Sequence, residues 1–206
     1  MKEGDEIVVL DGSEKEYHCQ ILSIKKDVAE AKILGVEICK KLPNKNIVIY
    51  QAMIKREKFE EILQKSVELG SSKFVPFESE FCAVKDYVAK KERLEKIVRG
   101  ACKQCECSKM MDIEDPINFD LMLEQAKQHK MCIFALERQG QPFDFEKLKD
   151  YDDIAIIIGP EGGFSTSEKE KILKARVKAI SLGSRILRSE TAAITLIGLV
   201  SVLSGN

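Results

Sequence analysis

The chain has 206 residues, with 33 Lys and Arg against 34 Asp and Glu, and a formal net charge of -1. Hydrophobic residues make up 44%, enough to bury a core and too many for a disordered chain. The near-neutral balance excludes a whole-surface polyanion binder, and the absence of Trp with only 6% aromatic residues argues against a surface of stacked bases.

The first residues, Met1-Lys-Glu-Gly-Asp, carry no apolar stretch of the kind a secretory signal needs. Seven cysteines without such a signal point to free thiols in a reducing cytosol, so a cytoplasmic location is expected. Residues 5–38 read as three short antiparallel strands: Asp5 to Leu10, Tyr17 to Ile24 and Val28 to Ile38. Asp11-Gly12 and Lys25-Lys26-Asp27 supply the turns. Some forty residues make a poor core alone, so this piece, a small barrel or part of one, must lean on something else or be incomplete. Leu42 to Asn46 is the expected domain boundary, dividing the chain into 1–42 and 43–206.

Beyond it strands and helices alternate, which predicts an α/β domain. Strands are expected at Asn46 to Gln51, Lys73 to Phe77, Met131 to Leu136, Ile154 to Ile158 and Lys178 to Leu182. Helices are expected at Lys55 to Leu69 (with Gly70 at the C-cap), Val88 to Lys103, Asn118 to Gln128, Ser165 to Ala175 and Glu190 to Leu203. Ile154 to Ile158 is unbroken apolar sequence, as in a parallel sheet covered on both faces. Thr191 to Leu203, the longest apolar run, is too short to cross a bilayer. Charge is uneven: Phe164 to Arg188 holds seven basic and two acidic residues, compatible with a local anionic partner or with solvated helix faces.

Two motifs carry chemistry. The first, Ile158-Gly159-Pro160-Glu161-Gly162-Gly163-Phe164-Ser165, runs from strand through glycine turn to helix start. Ligands of open parallel sheets bind beyond the carboxyl ends of the strands, and such glycines let backbone approach a ligand. It matches neither the dinucleotide fingerprint nor the P-loop, since no Lys-Ser/Thr follows the turn. In the second, Ser181 to Ala193, a strand ends at Gly183 and a loop with Arg185, Arg188 and Glu190 leads into a helix. Arginines so placed can clamp phosphate or carboxylate, or else serve helix capping and surface salt bridges. The two turns are expected to follow neighbouring strands and to meet around one ligand. Cys102-x-x-Cys105-x-Cys107 has no second cysteine pair, and the histidines are His18 and His129; packing thiols outrank zinc there. No metal is expected.

These motifs, IIIGPEGGFS followed by SLGSRILRSETAA, resemble the RsmE family of 16S ribosomal RNA uracil-N3 methyltransferases, of the SPOUT class. Glu68-Leu-Gly70, Val75-Pro76 and Ser79-Glu80 match the family's ELG, VP and SE pattern, and Gly4-Asp5 with Asp11-Gly12 resembles the hairpin of its PUA-like barrel. The resemblance implies an α/β SPOUT-type methyltransferase domain with a C-terminal trefoil knot, preceded by a small, truncated PUA-like β-barrel that binds RNA. It implies S-adenosyl-L-methionine as cofactor, 16S rRNA of the small ribosomal subunit as partner, and a homodimer. Carried over by position, Leu136, then Gly159, Pro160, Glu161, Gly162 and Gly163, then Leu182, Gly183, Arg185, Ile186 and Leu187 would form loops around the cofactor. Thr191 and Ala192 would start the helix packed against it, with Arg188 and Glu190 as catalytic residues near the methyl and the target base. The family's EQSxR-like stretch reads Lys103-Gln104-Cys105-Glu106-Cys107, with Cys107 where Arg is common.

Uracil N3 carries a proton and is a poor nucleophile until that proton leaves, so the site needs alignment plus a base or cationic stabilisation. Arg188 suits the anion; Glu190 or Glu161 suits the proton. A non-catalytic RNA-binding or ribosome-assembly protein on the same scaffold is the alternative, and a nucleotide-binding enzyme using the GPEGG turn a remote third.

Overall fold

Turn residues punctuate the N-terminal strands where the sequence expects them. The structure, a computed structural model, describes residues 1–83, 91–136, 142–175 and 177–205, and the chain falls into two units. The first takes in Met1–Leu42 together with Cys102–Met110. Its strands β1 (Glu6–Leu10), β2 (Lys15–Ile24) and β3 (Ala29–Ile38) form an antiparallel meander in that order. The Asp11 carboxylate accepts from the Ser13 N–H at 2.9 Å, and Gly12 turns the chain at φ 89°. These three strands bury little: Cys19 and Ile21 are buried, whereas Val8, Leu22, Ile33, Leu34, Val36 and Ile38 are exposed. Within this unit Lys109 pairs with Glu14 at 2.8 Å, and Lys41 pairs with Glu106.

The second unit, Pro43–Ala101 with Met111–Asn206, is α/β. In chain order it contains β4 (Asn46–Ala52), α1 (Arg56–Glu68), β5 (Lys73–Glu78) and most of α2 (Lys91–Cys105). Then follow β6 (Asp112–Ile113), β7 (Ile117–Asn118), α3 (Phe119–Ala126), β8 (Met131–Ala135) and a 3-10 turn at Phe145–Asp150. It ends with β9 (Asp153–Ile158), α4 (Thr166–Lys174), β10 (Lys178–Ile180) and α5 (Ser189–Ser204). The sheet order is β10-β8-β9-β4-β5-β6, with β7 also on β5, and every pairing is parallel.

The central strands explain their own sequence. Residues 47–52 of β4 and 154–158 of β9 are buried without a break, so alternation is absent because both faces are covered. Each buried Ile of this run contributes roughly 1.5–3 kcal/mol relative to exposure. Helix α1 turns Phe59, Ile62, Leu63 and Val67 inward. It ends in a Schellman motif: Gly70 sits at φ 78° and donates to Val67 O, and the Ser71 N–H reaches back to Ser66 O at 2.9 Å. Helix α5 packs against α1, β9 and the 3-10 turn.

Three readings change. The helix expected from Val88 begins, over 88–90, outside the described residues; from Lys91 it runs to Cys105. The two-residue strands β6 and β7 and the 3-10 turn carry too few residues to show a period. The glycine turns do not follow neighbouring strands, because β8 lies between β9 and β10.

Candidate active site

The carboxyl ends of β8, β9 and β10 open into one cleft of about 1040 Å³. Three loops wall it: Ala135-Leu136 after β8, Gly159 to Phe164 after β9, and Leu182 to Arg188 after β10. The Leu136 N–H donates to Ile180 O at 2.9 Å, which extends the β8–β10 pairing into the cleft wall.

The glycine loop is set by space as much as by conformation. A Cβ on Gly159 would meet the Phe164 ring at 2.9 Å, and one on Gly162 would meet Phe81 Cβ at 3.0 Å. Phe164 has to stand there because it is the hub of a buried cluster, with ring centroids 6.1–6.3 Å from Phe77, Phe119 and Phe134. The Gly163 N–H closes the turn onto Pro160 O at 2.9 Å with φ 69°. Helix α4 then starts on a full capping box, Ser165 with Glu168, as its spacing predicts. The buried Glu168 carboxylate also accepts from Ser79 Oγ at 3.0 Å and the Glu80 N–H at 2.9 Å, tying the segment after β5 to the loop.

The second loop is shaped by Gly183, at φ 110°, whose N–H donates to Ser181 Oγ. Where it enters α5, Ser189 Oγ donates to Gly159 O at 2.7 Å and accepts from Gln51 Nε2 at 3.4 Å. One hydroxyl thereby fastens both loops and the end of β4. Arg185 and Arg188 line the cleft, are exposed, and pair with no acid among the described residues. Glu190 is 9% exposed and stands with one oxygen 3.5 Å from Lys58 Nζ. The nearby Glu61 carboxylate, and then Glu190, hold the Lys58 ammonium above its ordinary pKa.

Of the residues singled out in the sequence, Leu136, Gly159, Pro160, Glu161, Gly163, Leu182, Gly183, Arg185, Ile186, Leu187, Arg188, Glu190 and Ala192 all line the cleft. Gly162 and Thr191 do not: Gly162 backs onto Phe81, and Thr191 is exposed on α5. Glu161 is engaged structurally, its Oε1 accepting from the Lys55 N–H at 3.4 Å. Sequence reasoning missed Lys55 and Lys58, from the start of α1, and Thr166, Lys169, Glu170 and Leu173 of α4. Five basic side chains (Lys55, Lys58, Lys169, Arg185 and Arg188) face three acids in the lining, a bias that suits an anionic substrate. Among the described residues no group of three or more His, Cys, Asp or Glu could hold a metal ion, and no helix is long and apolar enough to cross a membrane.

Comparison with known proteins bears on what such a cleft is for. Residues 40–201 match a family model described as RNA methyltransferase domain, and residues 1–34 one described as RNA methyltransferase PUA domain. The ribosomal RNA small subunit methyltransferase E of Bacillus subtilis is 31% identical over 213 residues, covering 98% of this chain and 83% of that protein. The protein of the same name in Mesomycoplasma hyopneumoniae is 36% identical over 158 residues, covering 75% and 69%. A crystal structure of ribosomal RNA small subunit methyltransferase E from Neisseria gonorrhoeae, bound to S-adenosyl methionine, gives a TM-score of 0.86 at 27% identity, covering 98% of this chain and 85% of the other. The resemblance carried by the two glycine motifs thus extends along nearly the whole chain, and the chain belongs to the ribosomal RNA small subunit methyltransferase E family of RNA methyltransferases.

Proposed function

We propose that this chain methylates N3 of a uridine in 16S ribosomal RNA of the small subunit, with S-adenosylmethionine as donor. The observation that carries the reading is the convergence of three strand-end loops on one cleft, two of them turning on glycine at 159, 163 and 183. The residues fit the cofactor. Gly159 keeps the floor clear of a clash, Gly183 adopts a backbone that favours glycine, and Leu136, Leu182, Ile186 and Leu187 give an apolar lining with backbone amides and carbonyls between them.

When bound, the cofactor supplies an activated methyl group. The chain's own residues have the remaining tasks. The loops at 159–163 and 182–187 fix orientation. Arg188, without an acid partner among the described residues, would hold the uracil anion or an adjoining phosphate. Glu190, or in its stead Glu161, would take the N3 proton. On the same reading residues 1–42 are an RNA-binding domain and 43–206 the catalytic domain, and a homodimer with a knotted cofactor site acts in the cytoplasm.

Calorimetric titration with S-adenosylmethionine tests this first: one site per chain is expected. Incubation with small subunits should then give N3-methyluridine by mass spectrometry of digested RNA. A folded protein that binds RNA but no cofactor would instead be the non-catalytic RNA binder.

A further inference from the structure

Glu190 is a nearly buried carboxylate in the first turn of α5, facing the cleft. A buried carboxylate needs a partner, and α5 does not provide it: the ion pair comes from α1, where Lys58 Nζ lies 3.5 Å from Glu190 Oε1. The same ammonium donates to Glu61 Oε2 at 3.1 Å, so it stands between a half-buried acid on its own helix and a buried acid on α5. The pair is made to Oε1, and a carboxylate has lone pairs for further donors beside it.

We propose that Lys58 is a positioning residue for the reaction, holding Glu190 turned into the cleft as the acceptor of the uracil N3 proton. This rests on the methyltransferase reading above. In the step concerned the N3–H bond breaks, its electron pair stays on N3, and the proton ends on the Glu190 carboxylate. The other charged groups around the cleft set the background. Lys55 and Glu161 stand on the α1 side, Lys169 and Glu170 on α4, and Arg185 and Arg188 on the loop before α5. For none of these six is an ion pair with Glu190 found among the described residues, whereas Lys58 makes one.

The test compares wild type with Lys58→Gln, Lys58→Arg and Glu190→Gln. Lys58→Gln should lower kcat for RNA methylation by about tenfold to a hundredfold with KM for RNA little changed, the range that misplacing a catalytic group brings, and Lys58→Arg should restore it. Wild-type kcat in Lys58→Gln, or no rescue by Lys58→Arg, overturns the role of Lys58. Full turnover in Glu190→Gln overturns the acceptor assignment and the proposal with it. Absence of methylation in wild type overturns the underlying reading, an outcome distinct from a variant that behaves like an active wild type.

Discussion

At the scale of single residues, the cleft depends on positions where a few atoms decide the outcome. Arg188 caps α5 with its carbonyl, which accepts from the Ala192 N–H at 2.8 Å, while its side chain is exposed in the cleft. Arg188→Ala therefore keeps the backbone and loses the charge. Cofactor affinity by calorimetry should stay within about twofold, while the methylation rate falls by about 10²–10³, the range for removing one electrostatic contact at a reacting centre. Gly159→Ala acts oppositely. Its new methyl would lie 2.9 Å from the Phe164 ring, which is fixed by three other phenylalanines and cannot swing away. Overpacking of this kind costs about 1–3 kcal/mol. A loss of about tenfold or more in cofactor affinity is expected, since the loop must move to relieve the clash. Unchanged affinity in a folded Gly159→Ala protein would show that the loop does not shape the binding surface.

At the scale of elements, the structure rests on a few cross-links between loops. Glu168 is the clearest: it caps α4 and receives two further donors from the segment after β5. Glu168→Gln turns an amide N–H toward groups that are themselves donors. It should cost about 1–3 kcal/mol, read as a lower midpoint in chemical denaturation, with the glycine loop loosened in the native state. The capping box was legible from Ser165 and Glu168 alone, because it is a local pattern of fixed spacing. The unbroken run 154–158 was legible for a similar reason. The additional bonds from Ser79 and Glu80 were not, since they join residues almost ninety positions apart. Lys58 escaped notice on the same ground. Nothing in Lys-Arg-Glu-Lys distinguishes it from a solvated first turn, and only the pairing of β4 with β9 brings α1 beside the cleft. The order of strands was misread because chain order does not reveal that β8 inserts between β9 and β10.

For the molecule as a whole, the two units differ in how much they bury. In β1 to β3 Cys19 and Ile21 are buried and most of β3 is exposed, whereas β4 and β9 are enclosed almost throughout. Amide hydrogen exchange should therefore be fastest across residues 6–38 and slowest in β4 and β9, tracking local rather than global opening. Equal protection in the two sheets would contradict this. The acid limit of stability belongs to the other end of the large sheet. There Asp153 Oδ1 accepts from Asn46 Nδ2 at 2.7 Å and lies 2.8 Å from His129 Nδ1, whose Nε2 meets Tyr50 Oη at 3.1 Å. Burial pushes the Asp153 carboxyl up, but the hydrogen bonds from His129 and Asn46 outweigh it and leave its pKa below the ordinary value. A lowered folded-state value stabilises the native protein above the unfolded value of about 3.9 and loses that contribution as pH falls. Asp153→Asn should thus be less stable than wild type near neutrality, with the gap closing between about pH 5 and pH 2 in denaturation curves.

The same Asn46–Asp153 contact joins residues 107 positions apart. A ribosome adding about 5–20 residues per second needs roughly 5–20 s to deliver the second strand after the first. Through that interval β4, one of the most apolar strands of the chain, has β5 available on one side and still lacks β9 on the other. Synthesis of this enzyme therefore includes a waiting period in which a holding chaperone has a target, and a stop codon anywhere before β9 yields a product with a sticky, unfinished sheet rather than a smaller working protein.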